Sequence, residues 1–350
     1  MKHVPGLLIL FLPVIILSMP AAAETVDLQS AIEIALEHSL NLQLEELNLQ
    51  RAELEYKRKV AGNLLTSSRH SELEAVHSLA AARNSYRTAY HNLLRNITQQ
   101  YINVFLAELD LEIKEMRFEL EDSLLEAARA RFQIGDLGSI SLLEQENSYN
   151  DAWFNLETSR DDYAQKRKNF ASLLGLEAPA PVDLVLPPEW EITEEEAIYT
   201  ALENSTELSL ARQELELAES DLKRTKISGP PLDIASKEIA LEICKVKKER
   251  LQEEIINAAQ EAYYQLKQAE KRIRLSKERL SEAQTKYEVR KNQYEAGLIK
   301  PTEILQYEIN RKESEYQYQS AVADYYLRKL ALEQALNLDI GVLNDDPEKE

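Results

Sequence analysis

The sequence predicts an all-α protein in which one helical unit is written twice, and three observations predict it. Adding 166 to the numbers of Ala31, Ile32, Ala35, Leu36, Glu37, Ser39, Leu42 and Leu44 gives Ala197, Ile198, Ala201, Leu202, Glu203, Ser205, Leu208 and Leu210, an identity at every position. Only 8 Gly and 11 Pro occur in 350 residues, while Ala, Leu, Glu, Lys, Arg and Gln, which lose least on entering a helix, dominate. Leu142, Tyr149, Leu156, Tyr163 and Phe170 recur every seventh residue, the period of a coiled-coil seam.

A second anchor refines the duplication. Phe132-Gln133-Ile134-Gly135 falls on Tyr294-Glu295-Ala296-Gly297, and Leu142-Leu143 on Ile304-Leu305, at an offset of 162. The second copy is therefore shorter than the first by the difference between 166 and 162, at a point between the anchors.

The elements follow in order. Residues 1–23 read as a signal peptide: Lys2, an apolar run from Leu7 to Leu17 broken by Pro13, and the small residues Ala21-Ala22-Ala23 before Glu24. The run is short of the ~20 residues a membrane helix needs. A first helical repeat is expected over residues 24–177, a linker over 178–190, a second repeat over 191–339 and an acidic tail over 340–350.

Each repeat opens on a capped helix, at Asp27 and at Thr193, where Thr193 with Glu196 fits a capping box. Between Glu72 and Gln133 neither Pro nor Gly interrupts the chain, which at 1.5 Å per residue makes a rod of roughly 90 Å, too long for a globular core. Its packing stripe is Leu79, Ala82, Tyr86, Leu93, Ile97, Tyr101 and Val104. Trp153 and Leu173 are expected beside the heptad seam, and Ile304, Tyr318, Tyr325 and Leu332 repeat that seam, broken by Arg311. Turns at Gly135-Asp136-Leu137-Gly138 and at residues 297–301 close antiparallel hairpins, because Gly accepts the left-handed conformation that ends a helix and Pro301 can begin the next. In the linker, Pro187-Pro188 and the Pro179–Pro181 stretch flank an apolar run, residues 182–186, that has room for one short strand.

Composition narrows function. The formal charge is −20, and −21 once Lys2 leaves with the signal, which argues against nucleic acid or anionic membrane surfaces as partners, because both are themselves negative. Cys244 is the only cysteine, so no internal disulfide forms. His70 and His77 lie seven apart without accompanying metal ligands, and no nucleophile elbow, phosphate loop or HExxH occurs. The expectation is a protein that is not an enzyme and has no cofactor or metal.

The capped Ala-Ile-x-x-Ala-Leu-Glu-x-Ser start, Arg131 to Gly135, and Gln293 to Gly297, in order in both repeats, resemble the TolC-like outer-membrane efflux protein family over essentially the whole mature chain. The resemblance implies a homotrimeric helical barrel in the periplasm, docked at its tips to an adaptor protein and an inner-membrane transporter, with an outer-membrane location. It implies adaptor docking at Gly135, Gly138, Gly297 and Pro301. It also implies a constriction ring just past the tips, where the matching positions are Ser141 and Glu144, Glu303 and Gln306. Three carboxylates around one lumen repel one another and attract cations.

Family members place two membrane strands between the short helices and the long hairpin of each repeat. Here those slots are residues 61–71 and 228–236, too short for two strands of about 9–11 residues each. Neither alternates, the first reads as polar and turn-like, and Gly229-Pro230-Pro231 cannot serve a strand ladder. The expected protein is TolC-like with little or no β-barrel. The alternative reading is a barrel-less, soluble coiled-coil scaffold of the periplasm or cell surface.

Overall fold

The computed structural model describes residues 25–66, 69–177, 179–188 and 190–338, without the side chains of 63–66 and 69–70. The expected signal peptide and acidic tail lie outside the described residues. Eight helices run α1 (Leu28–His38), α2 (Leu40–Thr66), α3 (Arg69–Gln133), α4 (Ser139–Leu174), α5 (Glu194–Asn204), α6 (Thr206–Ser228), α7 (Pro231–Glu295) and α8 (Pro301–Ala335). Strands β1 (Thr25–Val26) and β2 (Ala180–Pro181) pair in parallel, Thr25 opposite Ala180. They are the only strands among the described residues.

The helix starts are chemically specified. Asp27 accepts a hydrogen bond from the Ser30 N–H at 2.7 Å. Thr193 accepts from the Glu196 N–H at 3.2 Å while the Glu196 carboxylate accepts from the Thr193 N–H at 2.9 Å, a complete capping box. Those bonds to Thr193 hold the Glu196 carboxyl below the usual range. Ser39 and Ser205, equivalent at offset 166, cap α2 and α6 in the same way.

Repeat lengths locate the missing residues. Helices α1 and α5 have 11 residues each and α3 and α7 have 65 each, whereas α2 has 27 and α6 has 23. The second copy has thus lost about one helical turn from the end of α6.

Two expectations change here. The first slot is not turn-like: α2 continues through Gly62 to Thr66 and α3 resumes at Arg69, leaving 67–68 outside the described residues. A helical glycine costs about 1 kcal/mol against Ala, and the packing of α2 along α3 outweighs it. In the linker, strand pairing falls on Ala180–Pro181, not on residues 182–186, because β1 reaches the linker at that point. In the second slot α6 passes to α7 through Gly229-Pro230 alone, with Pro231 at the start of the new helix.

Burial is concentrated at the waist. Ala31, Ile32 and Ala35 of α1, Ile97, Tyr101 and Val104 of α3, Phe170 and Leu174 of α4, Leu184 of the linker, and Val322 and Tyr326 of α8 form one cluster. Its counterpart joins Ala197 and Ala201 of α5, Leu266 and Ala269 of α7, Tyr325 and Leu332 of α8, and Leu336 at its C-cap. Tyr101 meets Phe170 edge to face at 5.9 Å. The heptad positions Leu156 and Phe170 are buried, but Trp153 is 51% exposed and does not join the seam. Arg311 stays half-buried, with its guanidinium 5.3 Å from the Tyr287 ring centre and its Nη1 3.5 Å from the Glu315 carboxylate. The equivalent Tyr149 instead packs on Phe118 at 5.3 Å.

Tyr101 also fastens the linker. Its hydroxyl donates to the Asp183 carbonyl at 2.9 Å and accepts from the Val182 N–H at 3.3 Å. Burial pushes its pKa up to about 12. Because the fold favours the protonated phenol, its contribution is complete below pH 10 and is lost as the pH rises toward 12. Tyr101→Phe, which strands both backbone groups, is expected to cost about 1–3 kcal/mol in urea unfolding and to flatten the alkaline loss of stability. An unchanged unfolding midpoint at neutral pH would show that the linker is not held this way.

Candidate functional site: the helical tips and the free edges

Both tip turns close by one geometry. At the first, Gly135 has φ 77°, its N–H donates to Phe132 O at 3.0 Å, and the Asp136 N–H donates to Arg131 O at 2.9 Å. At the second, Gly297 has φ 73°, and the matching bonds run from Gly297 to Tyr294 at 2.8 Å and from Leu298 to Gln293 at 2.9 Å. These are paired Schellman closures. Gly138 caps α4 from an extended conformation, and Pro301 is the first residue of α8, where its missing N–H costs nothing. Arg131 Nε donates to Asp136 at 2.8 Å and pins the first tip.

Sequence reasoning named the tip glycines but passed over the apolar residues beside them. Ile134, 79% exposed, and Ile140 stand at the first tip, and Leu298 at the second. The signal was legible: Ile134 directly before Gly135 and Ile140 two residues after Gly138 flank the turn, where no heptad partner accounts for them. Ser141, Glu144, Glu303 and Gln306 are all exposed. Glu144 lies in the second turn of α4 and Glu303 in the first turn of α8. Gln306 bonds Asn310 at 3.1 Å. Within one chain the two glutamates belong to separate hairpins.

Side chains knit the two hairpins along α3. Lys312 meets Glu112 at 2.8 Å, Arg117 pairs with Glu313, His77 hydrogen-bonds Glu214 at 3.2 Å, and Arg87 reaches Thr206 at 3.3 Å and the Asn337 carbonyl. Beside these pairs an open groove of about 980 Å³ runs between α3 and α7 over α8, and its Arg272 and Lys114 are engaged by Asp324 and Asp110. His91 is buried beside Tyr90.

The order of neighbours leaves two free edges. Toward the tips it is α4, α3, α8, α7; toward the opposite end it is α2, α3, α6, α7. One edge, on α2 and α4, exposes Leu40, Leu47 and Leu54 at heptad spacing, with Leu44, Leu143 and Phe154. The other, on α7, exposes Ile239 and Val246 seven apart, with Ile243, Leu275 and Val289. These are coiled-coil stripes without a partner among the described residues.

Against known structures the whole architecture recurs. CusC, crystallised in connection with folding and transmembrane channel formation, matches with a TM-score of 0.63 at 14% identity over 91% of this chain and 94% of its own. The Campylobacter jejuni CmeC outer-membrane channel matches with a TM-score of 0.65 at 12% identity, over 89% of this chain and 85% of its own. The chain has the fold of the TolC-like outer-membrane channels. The open-state Neisseria gonorrhoeae MtrE outer-membrane channel agrees, with a TM-score of 0.62 at 14% identity, covering 89% of each chain. No protein-family model and no curated protein matches the sequence. The described residues nevertheless hold no closed barrel, and none of their helices is long and apolar enough to cross a membrane.

The glycines separate by conformation into opposite expectations. Gly297→Ala forces a Cβ into the left-handed region and is expected to destabilise by about 1–2 kcal/mol. Gly62→Ala, in a helix with open space around the added Cβ, is expected to stabilise by about 0.5–1 kcal/mol. Thermal unfolding of both variants checks the contrast; shifts of the same sign would contradict it.

Proposed function

We propose that the chain is a component of an outer-membrane efflux or secretion apparatus and not an enzyme. Three copies close a helical conduit whose tips dock an adaptor bound to an inner-membrane transporter. The observation that carries this reading is the pair of unlike apolar edges. A stripe on α2 and α4 facing a different stripe on α7 makes a head-to-tail interface, which closes into a ring when the rotation between copies allows it. The fold of the matching channels supports such closure. In the ring, Glu144 and Glu303 of each copy come to the lumen just past the tips and favour cations there. The exported chain works in the periplasm in association with the outer membrane.

Docking uses Ile134, Ile140 and Leu298, held in place by the Gly135, Gly138, Gly297 and Pro301 turns. An adaptor helical hairpin, supplied as a soluble fragment from the same gene neighbourhood, is expected to bind the purified protein, and Ile134→Asp with Leu298→Asp to weaken binding at least tenfold, an order typical of losing buried interface anchors. Calorimetric titration reads the result. Equal affinity for the double variant, or no binding by any adaptor hairpin, favours the soluble scaffold instead.

A further inference from the structure

The hairpin ends opposite the tips carry a charge distribution that the overall acidity conceals. Residues 222–232 contain Lys223, Arg224 and Lys226 and no acid, and residues 56–66 contain Lys57, Arg58 and Lys59 and no acid. Lys57 and Arg58 fall on Lys223 and Arg224 at the same 166 offset that aligns the helix caps, so both copies keep a basic pair there. All six side chains are exposed. A helix C-terminus attracts cations only within its last turn, which does not account for Lys57 to Lys59, two turns before the end of α2.

At the second of these ends the basic residues ring an apolar point. Ile227 and Leu232, on either side of Gly229-Pro230-Pro231, are 80% and 84% exposed. The His77–Glu214 and Arg87–Thr206 contacts set α6 antiparallel to α3. Counting residues from those contacts, the α6–α7 turn extends about 8 Å past the start of α3 at 1.5 Å per residue. Lys223 and Arg224 stand level with the start of α3 by this count, and Lys57 to Lys59 lie about two turns before the end of α2. The acids at this end are Asp221, shared by Arg224 at 3.0 Å and Lys237 at 2.9 Å, Glu238, paired with Lys226 at 2.9 Å, Asp233 in the first turn of α7 and Glu72 in the first turn of α3. The Lys226–Glu238 pair, exposed on both sides, is weak enough to open toward a stronger anion, while the more enclosed Asp221 holds Arg224 through Nη2 and leaves its other donors available.

We infer that this end docks peripherally on an anionic phospholipid surface, with Ile227 and Leu232 entering the headgroup layer and Lys223, Arg224 and Lys226 meeting its phosphates. An exposed apolar point beside basic side chains is what an interfacial contact requires. The inference goes beyond the conduit reading and does not use the adaptor-docking tips, so either can fail alone.

Sedimentation of the mature protein with lipid vesicles tests it. Binding is expected to vesicles of phosphatidylcholine with 30% phosphatidylglycerol, to be at least tenfold weaker to phosphatidylcholine alone, and to fall in 0.5 M salt. Lys223→Gln, Arg224→Gln and Lys226→Gln together, and separately Ile227→Ser with Leu232→Ser, are each expected to weaken binding at least tenfold. Lys291→Gln with Lys300→Gln, at the opposite end, leaves it unchanged. Circular dichroism confirms that each variant keeps its helix content. No binding to anionic vesicles, equal binding to both vesicle types, or loss only in the opposite-end variant overturns the inference.

Discussion

Everything in this structure depends on burying the middle of α3. A 65-residue helix cannot cover its own apolar stripe, and only at the waist do α1, α4, α8 and the linker converge to enclose Ile97, Tyr101 and Val104. Tyr101 shows how tightly that point is specified, since one side chain fills the cluster and satisfies two linker backbone groups. The second copy solves the same problem for α7 with Ala259 where the first has Ile97 and Leu266 where it has Val104, against the same alanine pair, Ala197 and Ala201, and with Tyr325 from α8. Away from the waist the helices lie side by side, and the outer helices α2, α4 and α7 each leave a set of apolar residues exposed.

That geometry links the fold to its proposed role. Helices one layer thick leave their stripes open at both edges, and unlike stripes invite a second copy. At the end opposite the tips no strand occurs among the described residues: α6 passes to α7 through Gly229-Pro230, and only residues 67–68 separate α2 from α3. The tips keep the closures that a docking surface needs, with matched Schellman bonds at Gly135 and Gly297.

Much of this was legible in the sequence because it depends on local chemistry. Asp27, Thr193, the tip glycines and Pro301 each announce a cap or a turn, and each sits where its backbone requirement placed it. What could not be read was set by distant parts of the chain. The strand register at Ala180 depends on where residue 25 arrives, Gly62 stays helical because α3 lies along it, and Trp153 faces outward although its neighbours hold the seam. The edge stripes on α2 and α7 were equally hidden, since a heptad gives no sign of whether its partner is in the same chain.

The most direct measurement of the assembly is disulfide crosslinking across the proposed edges. With Cys244 replaced by Ser, a chain carrying both Leu47→Cys and Ile243→Cys should form, under mild oxidation, a ladder that ends at three protomers, while each single variant does not. Only monomers, or a ladder running on past three, would contradict a closed three-copy conduit.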